Sequence, residues 1–248
     1  MGRISHPSYL DGELPVAPSA IQPKGHVSLV RPITEFPTPR ALETAELEDI
    51  VDAYRTAAEN AKAAGFDGVE VHAANGYLID QFLQSSTNQR TDLYGGSLEN
   101  RARLLLEVTD AVIEVWGAGR VGVHLAPRMD AHDMGDANPV ETFTYVAREL
   151  GKRGIAFICS REKEADDSIG RQIKDAFGGP YIANEKFDKQ SANAALADGW
   201  ADAVAFGVPF IANPDLPARL AADAPLNEPR PESFHGGGAV GYIDYPRM

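Results

Sequence analysis

Residues 68–79 read GVEVHAANGYLI, a short apolar strand that runs directly into a polar loop. Two valines alternate with a glutamate and a histidine, so the strand has one apolar face and one polar face. If the valines face helices, His72 lies on the opposite face at the carboxyl end of the strand. The loop that follows carries Asn75 and Tyr77. The sequence therefore predicts that three polar side chains meet at one strand end.

Four more short apolar segments follow the first, each preceded by a stretch with helical periodicity. They are residues 121–125, 155–159, 181–183 and 203–206. The helices between them begin at capping residues, which we predict to be Thr44, Ser97 and Asn138. Strands that alternate with helices indicate a parallel sheet covered by helices, as in an α/β barrel. No Gly-x-Gly-x-x-Gly follows any strand, so a dinucleotide-binding sheet lacks its usual signature.

Composition excludes several classes of protein. The chain has 248 residues, a net charge of −13 and a single cysteine, Cys159. One cysteine rules out a disulfide scaffold, and the acidic charge argues against nucleic acid or anionic membrane as a partner. No apolar run is long enough to span a membrane, and the start MGRISHPSYL lacks the apolar core of a secretory signal. We therefore predict a cytoplasmic protein that binds a small molecule.

The chain is predicted to be one α/β domain with three regions. Residues 1–43 hold seven prolines and form a loop region, in which a short hairpin is expected near residues 26–31. Residues 44–222 contain the five strand–helix units. Residues 223–248 form a C-terminal tail. A homo-oligomer is left open.

The residue types around His72 indicate chemistry on a polar double bond. An imidazole and an amide, His72 and Asn75, can together donate two hydrogen bonds to one oxygen and polarise a carbonyl or nitro group. A phenol ordinarily stays protonated at neutral pH, so Tyr77 can deliver a proton. No metal is predicted, because the spacing of His132, Asp133 and Asp136 matches no strong metal motif.

Three segments resemble the old yellow enzyme family of flavin-dependent ene-reductases. They are VEVHAANGYLIDQFLQSSTNQRTDLYGGSLENRARLLLEV (69–108), DAVAFGVPFIANPDLPARL (202–220) and GYIDYP (241–246). The resemblance implies an eight-stranded TIM barrel that binds FMN. It also implies that NADPH or NADH reduces the flavin, which then reduces an activated alkene such as an enone or a maleimide, or a nitro compound.

The resemblance also implies roles for individual residues. His72 and Asn75 would hold the substrate's activating oxygen, and Tyr77 would protonate its α-carbon. His124 stands where the family usually has an arginine facing the flavin, and His235 stands where a tyrosine commonly lies over the substrate. The flavin phosphate would bind two loops, represented by Asn184, Glu185, Lys186, Gly207 and Val208. Much of the family has glycine in place of Glu185 and arginine in place of Val208.

By the same resemblance, the family barrel begins upstream of Met1. We therefore expect an incomplete barrel without about the first three strands, and favour a misassigned start or a gene fragment over a deliberately expressed fragment or a true truncated relative. Two other functions stay open. One is a flavin-free pseudoenzyme or interaction module. The other is a phosphate-binding lyase or isomerase, for which Glu70 is the obvious base.

Overall fold

The computed structural model describes residues 1–28, 30–129, 131–234 and 238–248. Its centre is a parallel sheet of five strands in sequential order. These strands are β3 (Val69–Ala73), β4 (Val121–Leu125), β5 (Phe157–Arg161), β6 (Tyr181–Asn184) and β7 (Ala203–Ala205). Sequential parallel strands joined by helices are the arrangement of an α/β barrel. All five predicted strands are present, with boundaries shifted by up to two residues.

The strand register places the polar site residues on one face of the sheet. His72 on β3 is paired with His124 on β4, which is paired with Cys159 on β5. The residues of the other face, such as Val71 and Val123, are buried in the core against the helices. The alternation predicted for β3 and β4 is therefore correct, and His72 lies on the face away from the helices.

Eight helices accompany the strands in the described residues. They are α1 (Leu47–Ala63), α2 (Leu78–Leu83), α3 (Leu98–Trp116), α4 (Pro139–Arg153), α5 (Gly170–Phe177), α6 (Lys189–Ala197), α7 (Val208–Ala212) and α8 (Leu216–Ala222). The side chains of Ser97 and Asn138 cap α3 and α4 as predicted, each accepting a backbone N–H at 3.3 Å. The predicted cap at Thr44 is wrong. Glu43 is the cap there, of a 3₁₀ turn that precedes α1, and its N–H donates to the Glu46 carboxylate.

Residues 1–43 contain little regular structure but are packed in place. Strands β1 (Val16–Ala17) and β2 (Arg40–Ala41) form a two-residue parallel pair. A single antiparallel bridge joins His26 to Glu35 where a hairpin was expected. Ile4, Val27 and Phe36 form a small apolar cluster, which we call the Pro-region cluster. Tyr77 packs against it, so this segment forms one wall beside the predicted proton donor.

Within the described ranges, no helix is both long and apolar enough to cross a membrane. The division into a loop region, five strand–helix units and a tail stays a prediction.

Candidate active site

The first part of the site is the end of β3 and its loop. His72 is half-buried, and its ring lies 5.5 Å from the ring of Tyr77 and 5.3 Å from that of His124, centre to centre. Burial lowers the pKa of His72, which keeps its imidazole neutral at neutral pH. A neutral imidazole has one N–H to donate, which is what a carbonyl or nitro oxygen requires.

The loop that carries Asn75 and Tyr77 is held by backbone hydrogen bonds to side chains. Asn75 and Gly76 have φ angles of 61° and 72°, in the left-handed region that a tight turn requires. The Gly76 N–H donates to Asp80 Oδ2 at 2.8 Å, and Gln81 Nε2 donates to the Gly76 carbonyl at 2.6 Å. The N–H and the carbonyl of Gly76 are therefore both held by side chains of α2, from the consecutive residues Asp80 and Gln81.

His124 lies next to His72 on the inward face of β4. Burial, followed by the neighbouring His72 and Arg161, lowers the pKa of His124 to about 4. Glu70 Oε1 lies 3.6 Å from His124 Nδ1, too far for a hydrogen bond. His124 Nε2 is buried and has no partner among the described residues, so it is open to a polar atom of a ligand. A neutral histidine cannot supply the permanent charge of the arginine that the resemblance leads one to expect.

The loop after β6 has a strained backbone. Glu185 and Lys186 have φ angles of 104° and 60°, which non-glycine residues rarely adopt. The Glu185 carboxylate lies 2.6 Å from Arg161 Nε and 3.6 Å from Lys186 Nζ. It is therefore neutralised by two cations and turned toward β5. The Asn184 amide donates to the Ala205 carbonyl at 2.8 Å and ties the ends of β6 and β7 together.

A cavity of about 560 Å³ at the carboxyl ends of the strands joins these parts. Its volume is within the range of about 300–1,000 Å³ that small-molecule sites occupy. Seven predicted site residues line it: Asn75, His124, Asn184, Glu185, Lys186, Gly207 and Val208. His72 and Tyr77 do not line it but lie beside His124 and Asn75. His235, the ninth predicted binding residue, lies outside the described residues.

Cys159 is paired with His124 and faces the same side of the sheet. It is buried, and burial, followed by the nearby Glu70, raises its pKa to about 12. A thiol with so high a pKa is not a nucleophile at neutral pH. Cys159 is therefore a small buried residue of the sheet.

Sequence reasoning missed Arg161, which lines the cavity and donates to Asn75 Oδ1 at 2.9 Å. The strand was predicted over residues 155–159, so Arg161 fell outside it. It also missed Asp80 and Gln81, which were hidden in α2, a helix too short to show a period. A basic residue at the end of an apolar strand, as in FICSR, is the signal that could have indicated Arg161.

Comparison with known proteins identifies the class. Residues 6–227 match the model of the NADH:flavin oxidoreductase / NADH oxidase family. A "Probable flavin mononucleotide-dependent alkene reductase" of Leishmania infantum is 45% identical over 260 residues, which cover 100% of this chain and 70% of the relative. Morphinone reductase in complex with tetrahydroNAD is 49% identical with a TM-score of 0.95, over 100% of this chain and 70% of that one. The old yellow enzyme homologue from Zymomonas mobilis is 41% identical with a TM-score of 0.96, over 100% and 72%.

Parallel strands in sequential order, with hydrogen-bond donors collected at their carboxyl ends, are the arrangement of a TIM-barrel enzyme. The chain belongs to the NADH:flavin oxidoreductase / NADH oxidase family. The resemblance to old yellow enzymes and the predicted fold class are thereby confirmed. The chain covers 70–72% of the length of these neighbours, so its five strands correspond to part of their barrel.

The residues present fit FMN, the cofactor of this family. His124 Nε2 is a buried polar atom with no partner in the described part of the chain, as expected for an atom that meets a ligand. The same cavity is lined by residues 184–187, which include Lys186, and by residues 206–209. Backbone N–H groups and a lysine are suitable donors for a phosphate.

Proposed function

We propose that this chain is an FMN-dependent oxidoreductase that reduces activated C=C bonds or nitro groups with NADH or NADPH. The observation that carries the proposal is the cavity that Asn75 and His124 share with the loops after β6 and β7, beside His72 and Tyr77. The alkene-reductase name of the Leishmania infantum relative supports the same reaction.

Each residue of the site has a proposed role. His72 and Asn75 bind the activating oxygen of the substrate through one N–H each, which withdraws electrons from the double bond. Tyr77 gives its hydroxyl proton to the α-carbon. His124 donates to or accepts from a polar edge of the cofactor as a neutral ring, while Lys186 and the amides around Asn184, Glu185, Gly207 and Val208 hold its phosphate. FMN, when bound there, supplies hydride taken from the nicotinamide.

The visible spectrum of the purified chain tests the proposal. We expect absorption bands of bound flavin that bleach when NADH or NADPH is added without oxygen, and that return when an enone is added. A chain that stays colourless after incubation with FMN, or a bleached flavin that no alkene or nitro compound reoxidises, would sink the proposal. Comparing NADH with NADPH in the bleaching step also establishes which donor is preferred.

The two other functions are less well supported. A flavin-free pseudoenzyme does not explain why the buried Nε2 of His124 lacks a hydrogen-bond partner among the residues that the structure describes. A lyase or isomerase depends on Glu70 as its base, and Glu70 is not among the residues that line the cavity shared by Asn75, His124 and the loops after β6 and β7. The spectrum described above distinguishes both from the proposed reductase.

We also infer the surroundings in which the chain acts. A net charge of −13 supports a small activated alkene or nitro compound as its partner rather than nucleic acid or a membrane surface. The single cysteine supports a cytoplasmic location, where disulfides are rare. A homo-oligomer stays a proposal, and light scattering on the eluted chain tests it.

A further inference from the structure

Arg161 connects two loops of the site that are distant in sequence. It is the last residue of β5, and its Nη1 donates to Asn75 Oδ1 at 2.9 Å, in the loop after β3. Its Nε donates to Glu185 Oε2 at 2.6 Å, in the loop after β6. The Arg161 guanidinium therefore contacts the Asn75 carboxamide on one side, and the Glu185 carboxylate holds it on the other.

The contact decides which end of the Asn75 side chain is left for a ligand. Arginine has only donors, so the amide atom that faces it must be the oxygen. The NH₂ group is then left to donate into the cavity. The opposite orientation would set two donors against each other at Arg161 and turn an oxygen toward the substrate oxygen. A hydrogen bond from a cation also polarises the amide and strengthens its N–H donors.

We propose that Arg161 is a positioning residue that fixes the Asn75 carboxamide as a hydrogen-bond donor toward the substrate's activating oxygen, and that Glu185 holds Arg161 for that purpose. The inference rests on the proposed ene-reductase function and adds two residues to its machinery. Neither of them needs to touch the substrate.

The backbone at Glu185 supports this assignment. Its φ of 104° lies in a region that favours glycine, so a side chain at this position is strained. Glycine would relieve the strain but would remove the carboxylate that pairs with Arg161. Lys186 is the second strained residue, and its Nζ lies 3.6 Å from Glu185 Oε1, the carboxylate oxygen that does not accept from Arg161 Nε. The strained turn therefore carries the group that fixes the guanidinium.

A double-mutant cycle on the FMN-loaded chain tests the proposal. Arg161→Met removes the donors, Asn75→Ala removes the amide, and both are combined. We measure the dissociation constant of a ketone that cannot be reduced, and the rates of flavin reduction and of alkene reduction. Arg161→Met should weaken ketone binding and slow alkene reduction about tenfold, with flavin reduction nearly unchanged. In the Asn75→Ala background the same change should have almost no further effect.

Three additional variants sharpen the result. Arg161→Lys should recover part of the loss, and Glu185→Gln should show an intermediate loss. Lys163→Met is the matched control, because Lys163 lines the adjoining cavity with Arg161 but forms no hydrogen bond with Asn75 in the described structure. It removes a positive charge from the same rim and should leave ketone binding unchanged.

An NMR measurement provides a readout that does not depend on turnover. The side-chain NH₂ signals of Asn75, assigned by their loss in Asn75→Ala, should shift in Arg161→Met and stay in place in Lys163→Met. Additive losses in the double-mutant cycle, or unmoved Asn75 signals, would overturn the proposal. If the parent chain is not reoxidised by an enone, the proposed function fails instead, while the NMR comparison still decides whether Arg161 orients Asn75.

Discussion

Tyr77 is positioned at the residue scale by neighbours on two sides. Its ring lies 5.5 Å from that of His72 and packs against the Pro-region cluster. If Tyr77 delivers the proton, Tyr77→Phe should slow alkene reduction by about 10²-fold or more, because general acid catalysis contributes roughly 10²–10⁴. The rate of flavin reduction by NADH should remain close to that of the parent chain, since that step needs no proton from Tyr77. Stopped-flow absorbance measures both rates separately.

Tyr9→Phe is a suitable control, because Tyr9 is an exposed tyrosine outside the site. It should leave both rates unchanged. Equal losses in the two half-reactions of Tyr77→Phe would contradict the assigned role and indicate a general disturbance of the site.

Asp80 makes stability depend on pH. Burial raises the pKa of its carboxyl from 3.8 to about 7, against the lowering effect of hydrogen bonds from Gln84 and Gly76. Between these values the folded chain holds a proton that the unfolded chain has lost, so the contribution of Asp80 to the free energy of unfolding falls as pH rises from about 4 to 7. Asp80→Asn should flatten that part of the curve of melting temperature against pH.

Asp49→Asn is the matched control for this experiment. Asp49 is exposed on α1, so its replacement should leave the slope of the curve unchanged. Parallel curves for the parent chain and Asp80→Asn would show that the buried carboxyl does not titrate in this window.

At the residue scale, the sequence suggests which groups form the candidate site but not how they are held. The types and order of His72, Asn75 and Tyr77 are enough to suggest donors to a polar double bond. Arg161 is 86 positions from Asn75, so their contact depends on the register of three strands. Such long-range contacts result from packing and cannot be predicted from local periodicity.

At the scale of elements, the contact of α4 with α5 depends on a glycine. A Cβ added to Gly151 would clash with the Phe177 carbonyl oxygen. Alanine ordinarily stabilises a helix by about 1 kcal/mol relative to glycine. Here Gly151→Ala should instead lower the free energy of unfolding by about 1–3 kcal/mol, because the helices must move apart. Thermal unfolding measures the change.

Gly119→Ala serves as the comparison, since nothing lies within 4 Å of a Cβ built there. It should change the free energy of unfolding by no more than about 0.5 kcal/mol. A Gly151→Ala chain that is as stable as the parent would mean that α4 and α5 can separate without loss.

The long helices and the five strands follow from the sequence, whereas the short helices α2 and α7 do not. α1, α3 and α4 show helical periodicity over 15 or more residues, and two of them carry their predicted caps. α2 has six residues that are all buried, so no polar face marks it as a helix. α7 has five residues, too few for a period. Strand β5 begins two residues later than predicted, because the apolar run begins at residue 155 and the pairing with β4 begins at Phe157.

For the whole molecule, FMN should act as a stabilising ligand. A ligand at about 100 times its dissociation constant adds about 2.7 kcal/mol to the free energy of unfolding. For a chain of this size, that raises the melting temperature by about 5–10 °C. Riboflavin, which lacks the phosphate, should give a smaller shift if the loops around Lys186 and Gly207 hold that group. Differential scanning fluorimetry compares the two ligands.

Lys186→Gln should reduce the difference between FMN and riboflavin, and Lys62→Gln should not, because Lys62 lies on α1 away from the cavity. Equal shifts for both flavins would contradict the predicted phosphate site. The absence of any shift would contradict FMN binding itself.

The paired side chains of Arg161 and Glu185 impose an order on the substitutions that this site can accept. While Arg161 is present, Glu185→Gly relieves the backbone strain at this position but also removes the ion pair between Glu185 and Arg161. Once Arg161 is replaced, the carboxylate is strained without its main partner, and glycine becomes the better residue. Glu185→Gly is therefore expected to be unfavourable when Arg161 is present and favourable when Arg161 has been replaced. Relatives with glycine at this turn are therefore expected to lack an arginine at the end of the neighbouring strand.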